Sequence, residues 1–248
     1  MKFSQNGLWC AAILLSLVSL SAQAATDSEI DRLLKKLPPP EKLVQRNEHV
    51  VRVADPALND PLVKQIDAAT NAKQWKRAFE LSRQLAARHP SSAAANYYAG
   101  YCAAEAKLYP EATASYRRAI AIQPQLVLGH FSLALIEWKQ GHRGEALQHL
   151  RQVTKLEPKA AAGWAILSMA SEIVGNRQES VTAARRLVVV APREPAAWVR
   201  LSVAERNIGN GKAATEALNR AVQVAGGAKA SAPKKSTTSK KAASKKKG

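Results

Sequence analysis

The chain has 248 residues and a formal net charge of +18; 46% of its residues are hydrophobic, but only 5% are aromatic. Alanine supplies much of the apolar fraction, which close helix packing tolerates and a β-sandwich, wanting branched and aromatic residues, does not. Acids and bases cancel over 25–58, whereas the last 23 residues hold eight lysines and no acid, so nearly half of the excess charge belongs to a tail and does not bear on the fold.

In chain order, residues 1–24 read as a secretory signal peptide. Lys2 opens it, an apolar stretch runs from Leu8 to Leu20, and Ala22-Gln23-Ala24 offers small residues where a leader peptidase cuts. The apolar run is short for a bilayer span, and Cys10 follows bulky Trp9, which disfavours a lipid anchor. Export to a bacterial periplasm is the expectation. Cleavage after Ala24 leaves Cys102 as the one cysteine of the mature chain, so no internal disulfide is expected. Residues 25–58 read as a linker. Ile30, Leu33, Leu34 and Leu37 are spaced for a short helix over 27–37, which Pro38-Pro39-Pro40 ends.

From residue 59 onward the sequence repeats. Pro90, Pro124, Pro158 and Pro192 stand 34 residues apart, and Lys73, Lys107, Gly141, Gly175 and Gly209 share that spacing. A third column is small (Ala78, Ala112, Ala146, Ser180, Ala214) and a fourth apolar (Leu85, Ala119, Val153, Leu187, Ala221). Within a unit the pattern is helix–turn–helix. Leu128, Phe131, Leu135 and Trp138 share one helical face, Gly141-His142-Arg143-Gly144 breaks it, and Ala146, Leu147, Leu150, Val153 and Leu156 mark a second helix that Pro158 stops. One such hairpin leaves an apolar face bare, so stability has to come from stacking.

Trp164-Ala165-Ile166-Leu167-Ser168, Trp198-Val199-Arg200-Leu201-Ser202 and Tyr98-Ala99-Gly100 with Ala112, Tyr116, Ala119 and Pro124 resemble the tetratricopeptide-repeat family. The resemblance implies an all-α, right-handed α-solenoid of about five helix–turn–helix repeats over 59–226. The units expected are 59–92, 93–126, 127–160, 161–194 and 195–226. The first copy is weakest, with Gln65-Ile66 where Leu-Gly is usual, and the fifth has Gly226 in place of its closing proline.

In this family the first helices of successive repeats line a concave groove. By register that implies Tyr97, Tyr101, Phe131, Leu135, Trp138, Met169, Val199, Val203 and Arg206 as partner contacts, unless they pack between helices. Val63, Asp67 and Tyr101 stand where members that grip chaperone C-termini use Lys and Asn, so that use is disfavoured. Arg83, Arg117, Arg151 and Arg185 recur every 34 residues on the second helix as a basic stripe, read either as a solvated face or as a contact for an anionic surface.

Signatures of phosphate binding, of zinc peptidases and of nucleophilic hydrolases are missing, so no enzyme, cofactor or metal is expected. His130 replaces the family's packing Trp and reads as a buried neutral ring; His142 and His149 gain no Cys or carboxylate to complete a metal set. Cys102, on a helix among alanines, reads as packing. The tail, 227–248, cannot fold alone, and Lys234, Lys235, Lys240, Lys241, Lys245, Lys246 and Lys247 suit an anionic surface. Three functions are weighed. The leading one is an envelope scaffold holding a protein or peptide partner of unstated identity. The others are an electrostatic tether to anionic lipid or polymer, and a nucleic-acid-associated protein, which the leader argues against.

Overall fold

Each repeat is built by the same two turns. The computed structural model describes residues 55–230; the expected leader, the short helix expected over 27–37 and the seven tail lysines lie outside the described residues. Ten α-helices follow a short 3-10 turn at Pro56–Asn59: α1 Pro61–Asn71, α2 Trp75–Arg88, α3 Ala93–Glu105, α4 Tyr109–Ile122, α5 Val127–Lys139, α6 Arg143–Leu156, α7 Ala161–Ile173, α8 Arg177–Val190, α9 Pro195–Asn207 and α10 Gly211–Ala230. No strand occurs among the described residues. Each helix packs on its chain neighbours, and first helices of adjacent repeats also touch, α3 with α5 and α7 with α9. The described chain is an all-α solenoid.

The turn inside each hairpin needs a left-handed residue. Gly141, Gly175 and Gly209 have φ near +80°, and Lys73 and Lys107 take the same position at +55° and +63°. That residue lets the following N–H reach five residues back, closing the first helix with bonds such as Gln74 N to Ala69 O at 2.8 Å and His142 N to Glu137 O at 2.8 Å. The turn between repeats is a proline turn. With Pro90, Pro124, Pro158 and Pro192 second in it, the fourth residue donates back to the first, as in Ser92 N to His89 O and Ala160 N to Glu157 O, both 3.0 Å.

Helix starts are fixed locally. Asp60 accepts from Leu62 N at 2.9 Å, Ser92 from Ala95 N at 2.9 Å and Asn176 from Glu179 N at 3.3 Å. Close packing then uses complementary sizes. A Cβ on Gly100 would stand 2.6 Å from the Tyr116 ring, so the aromatic of α4 occupies space that only glycine of α3 leaves.

Two apolar clusters meet at α5. Leu133 and Ile136 join the N-terminal one, with Ile66, Leu85 and Tyr116; Phe131, Ala134 and Trp138 join the C-terminal one, with Leu150, Met169 and Leu187. The linker expected to end at residue 58 stops sooner. Ala57 is fully buried, Asp55 accepts from Ser92 Oγ at 2.6 Å, and Pro56 lies 34 residues before Pro90, so 55–58 belong to the fold. At the other end α10 runs four residues past Gly226.

A second column ties repeats together. Trp164 and Trp198 donate their indole N–H to the carbonyls of Pro158 and Pro192 at 2.9 Å, and His130 Nε2 and Asn96 Nδ2 use Pro124 O at 3.1 Å and Pro90 O at 3.5 Å. Nineteen residues on from each stands Ala183, Ala217, His149 or Ser115, so Trp is matched with Ala, His with His, and Asn with Ser. The smaller pairs leave clefts. One of about 560 Å³ is lined by Asn96, Ser115, Arg83 and Arg118, and one of about 340 Å³ by His130, His149, Ile120 and Gln152.

Candidate partner-binding face

All nine residues expected on the groove lie on first helices, but they differ in what they can touch. Arg206 is exposed, and Tyr101, Leu135 and Val199 are half-buried. Tyr97, Phe131 and Val203 are 7–8% exposed. Met169 and Trp138, at 0% and 2%, are core and not groove lining. Met169 sits within the C-terminal apolar cluster. Trp138 is roofed by Arg143, whose guanidinium lies 4.1 Å from the ring centre and also donates to Trp138 O.

The aromatic end of this face is tied into the core. Tyr97 packs on Tyr116 with ring centres 5.2 Å apart, and its hydroxyl meets Ser132 Oγ at 3.3 Å. Burial pushes the Tyr97 phenol up to about 12 and drives that of Tyr116 well up, so both stay neutral at physiological pH. Tyr101 meets the Trp75 ring edge-on at 6.1 Å.

The register of Trp138 continues as Glu172 and Arg206, and here the face turns polar. Glu172 on α7 pairs with Arg200 on α9, both side chains 9% exposed, and accepts from Asn207 Nδ2. Burial lowers Arg200 to about 10, which leaves it charged at neutral pH. Reading apolar positions alone missed this cluster; the column Trp138, Glu172, Arg206 was the available signal. Asp67 stands in the register of Tyr101, Leu135, Met169 and Val203, and burial raises its carboxyl.

The arginine column on the second helices is not a free stripe. Arg117 bonds Glu137 Oε1 at 3.1 Å, and Arg185 bonds Glu205 Oε1 at 2.8 Å, each on the first helix of the next repeat. Both carboxylates have side chains only 3% exposed. Where Ser171 replaces that glutamate, Glu179 comes over instead: Arg151 holds it in two bonds at 2.6 and 2.9 Å, and Ser171 Oγ donates to it at 2.9 Å. Arg151 is the main cause of a lowered Glu179 carboxyl. Only Arg83, facing Ala103, turns to Glu80 of its own helix at 2.8 Å.

Among the described residues, no group of three or more His, Cys, Asp or Glu is arranged to hold a metal, and no helix is long and apolar enough to cross a membrane. Cys102 is buried.

A family model described as tetratricopeptide repeat matches residues 63–127 and 174–233, together half of the chain. No curated protein matches the sequence. Among solved structures, a crystal structure of MamA protein superposes with a TM-score of 0.60 at 13% identity, covering 69% of this chain and 94% of that one. MamA from Desulfovibrio magneticus RS-1 gives 0.55 at 16%, covering 67% and 94%. YrrB, described as a TPR protein with an unusual peptide-binding site, gives 0.54 at 18%, covering 75% and 92%. At these identities the likeness is one of fold.

Proposed function

Because the chain belongs to the tetratricopeptide-repeat family, we propose that it is a non-catalytic interaction scaffold of the bacterial envelope that holds a peptide or helix of a protein partner on its first-helix face. The observation that carries this reading is the row Tyr101, Leu135, Val199 and Arg206. Arg206 is exposed and the other three are partly exposed; they stand on α3, α5 and α9 and pass from aromatic through aliphatic to cationic. Aromatic and arginine anchors on a curved apolar face suit a helix or extended segment with an acidic end. A solved relative in fold, YrrB, carries a peptide-binding site by its own description, which favours the same use here.

Placement in the envelope rests on residues 1–24. N-terminal sequencing of the native protein is expected to begin at Ala25; a start at Met1 would remove that part. For the groove, the mature protein serves as bait on envelope extract beside Tyr101→Ala with Leu135→Ala, a pair that spares the sealed core. Loss of a specific captured partner is the expected result. An unchanged set of partners refutes this assignment of the face. A second reading, the tether, is favoured by the eight lysines of the last 23 residues. It requires that deleting 229–248 release the protein from anionic vesicles at moderate salt.

A further inference from the structure

His130 and His149 of the third repeat face each other in a cleft that Ile120 and Pro124 of the second repeat help line, with none of the residues of the proposed groove among its lining. Their Nδ1 atoms are 3.2 Å apart and their ring centres 5.5 Å. Repeat architecture fixes the state of one ring. At this register the side chain donates an N–H to a proline carbonyl, as Trp164 and Trp198 do, and Pro124 O can only accept. Nε2 of His130 therefore carries the proton, and its Nδ1 presents a lone pair to His149.

We propose that this pair is a binding site for one exchangeable transition-metal ion of the imidazole-preferring class, Cu(II), Ni(II) or Zn(II). Two nitrogens at about 2.0–2.1 Å from a metal stand about 3.3 Å apart in tetrahedral geometry and about 2.9 Å apart as cis ligands at a right angle, so a pair now at hydrogen-bond distance, 3.2 Å, suits tetrahedral Zn(II) as it stands and Cu(II) or Ni(II) after closing by a few tenths of an ångström. The bond from His130 Nε2 to Pro124 O is the outer contact that orients a ligating histidine. In the metal-free protein the His149 Nδ1–H donates to His130. On binding, His149 takes the other neutral tautomer, with its proton on Nε2, so no net proton is released from the pair.

Room and neighbours are compatible with an ion. The cleft is open to solvent, Gln148 and Gln152 line it with carboxamide oxygens, and water completes the shell. Arg117, a cation acting on His149, is already paired with Glu137 at 3.1 Å. Two protein ligands make a labile site, and the metal would cross-brace α5 to α6. Affinity should follow the order Cu(II) above Ni(II) above Zn(II) in all but geometry.

The test uses the full chain at pH 7.5. Ni2+ titrated by calorimetry is expected to bind with one saturable equivalent and to raise the melting temperature, and Cu2+ is expected to show two nitrogen ligands by electron paramagnetic resonance. His149→Ala should remove both signals. His130→Trp with His149→Ala recreates the Trp164–Ala183 pairing, so it should melt no lower than the parent and also lose the metal response. Binding that survives in both variants overturns the proposal, as does a wild-type protein that takes up no ion or shows a copper spectrum without two nitrogens. Should one variant fail to fold, the other and the wild-type spectrum decide.

Discussion

The two N-terminal junctions and the two C-terminal junctions are made by one backbone design and filled differently. Toward the C-terminus, Trp164 and Trp198 cover Ala183 and Ala217 and pack on the apolar cluster. Toward the N-terminus, Asn96 with Ser115 and His130 with His149 leave clefts at the same register. A side-chain hydrogen bond to the proline carbonyl survives in all four, from 2.9 Å for the indoles to 3.5 Å for Asn96. What the register keeps is an N–H donor; ring area is optional, and giving it up opens space for other chemistry.

The strongest way to break this comparison is to remove the ring. Trp198→Ala should cost about 2–4 kcal/mol in urea unfolding, whereas Asn96→Ala, which loses the bonds to Ser92 O at 2.9 Å and Pro90 O at 3.5 Å but no ring, should cost about 1 kcal/mol. Equal losses would mean that the indoles do not carry the C-terminal junctions. Next comes the arginine column. Arg185→Ala leaves the buried Glu205 carboxylate with Asn210 but no cation and is expected to destabilise by about 1–3 kcal/mol, while Arg83→Ala, in an exposed pair, should fall within about 0.5 kcal/mol. The smallest effect sharpens the turn. Lys73→Gly and Lys107→Gly relieve left-handed backbone at the N-terminal hairpins and should each gain about 0.5–1 kcal/mol in chemical denaturation, less than the steric strain itself because glycine also loosens the unfolded chain.

The fold was legible because a 34-residue period constrains every column at once. Proline, small residues and the turn position each had to fit a stacked hairpin, and five copies averaged out local exceptions. Even so, the period ran further than was read: Pro56 is in phase with Pro90, yet 55–58 were assigned to a linker. The face was less legible, because an apolar residue on a first helix serves core and surface by the same rule of burial. Nothing in the sequence distinguishes Met169, sealed, from Leu135, half open; the difference lies in what the neighbouring helix brings. The ion pairs were hidden for another reason. Arg117 finds Glu137 twenty residues on, across two helices, a spacing no local helix rule inspects.

That twenty-residue reach gives the array a direction. Each bridging arginine of the 34-residue column waits for a carboxylate made later, the reverse of the Glu172–Arg200 pair, and one period after Arg185 the column gives way to Asn219. On a ribosome the long cation emerges first and can remain hydrated at little cost, and the acid that will be buried arrives to find its counter-ion already in place. A chain assembled in the opposite order would have to enclose Glu137 and Glu205 with only His142 and Asn210 beside them.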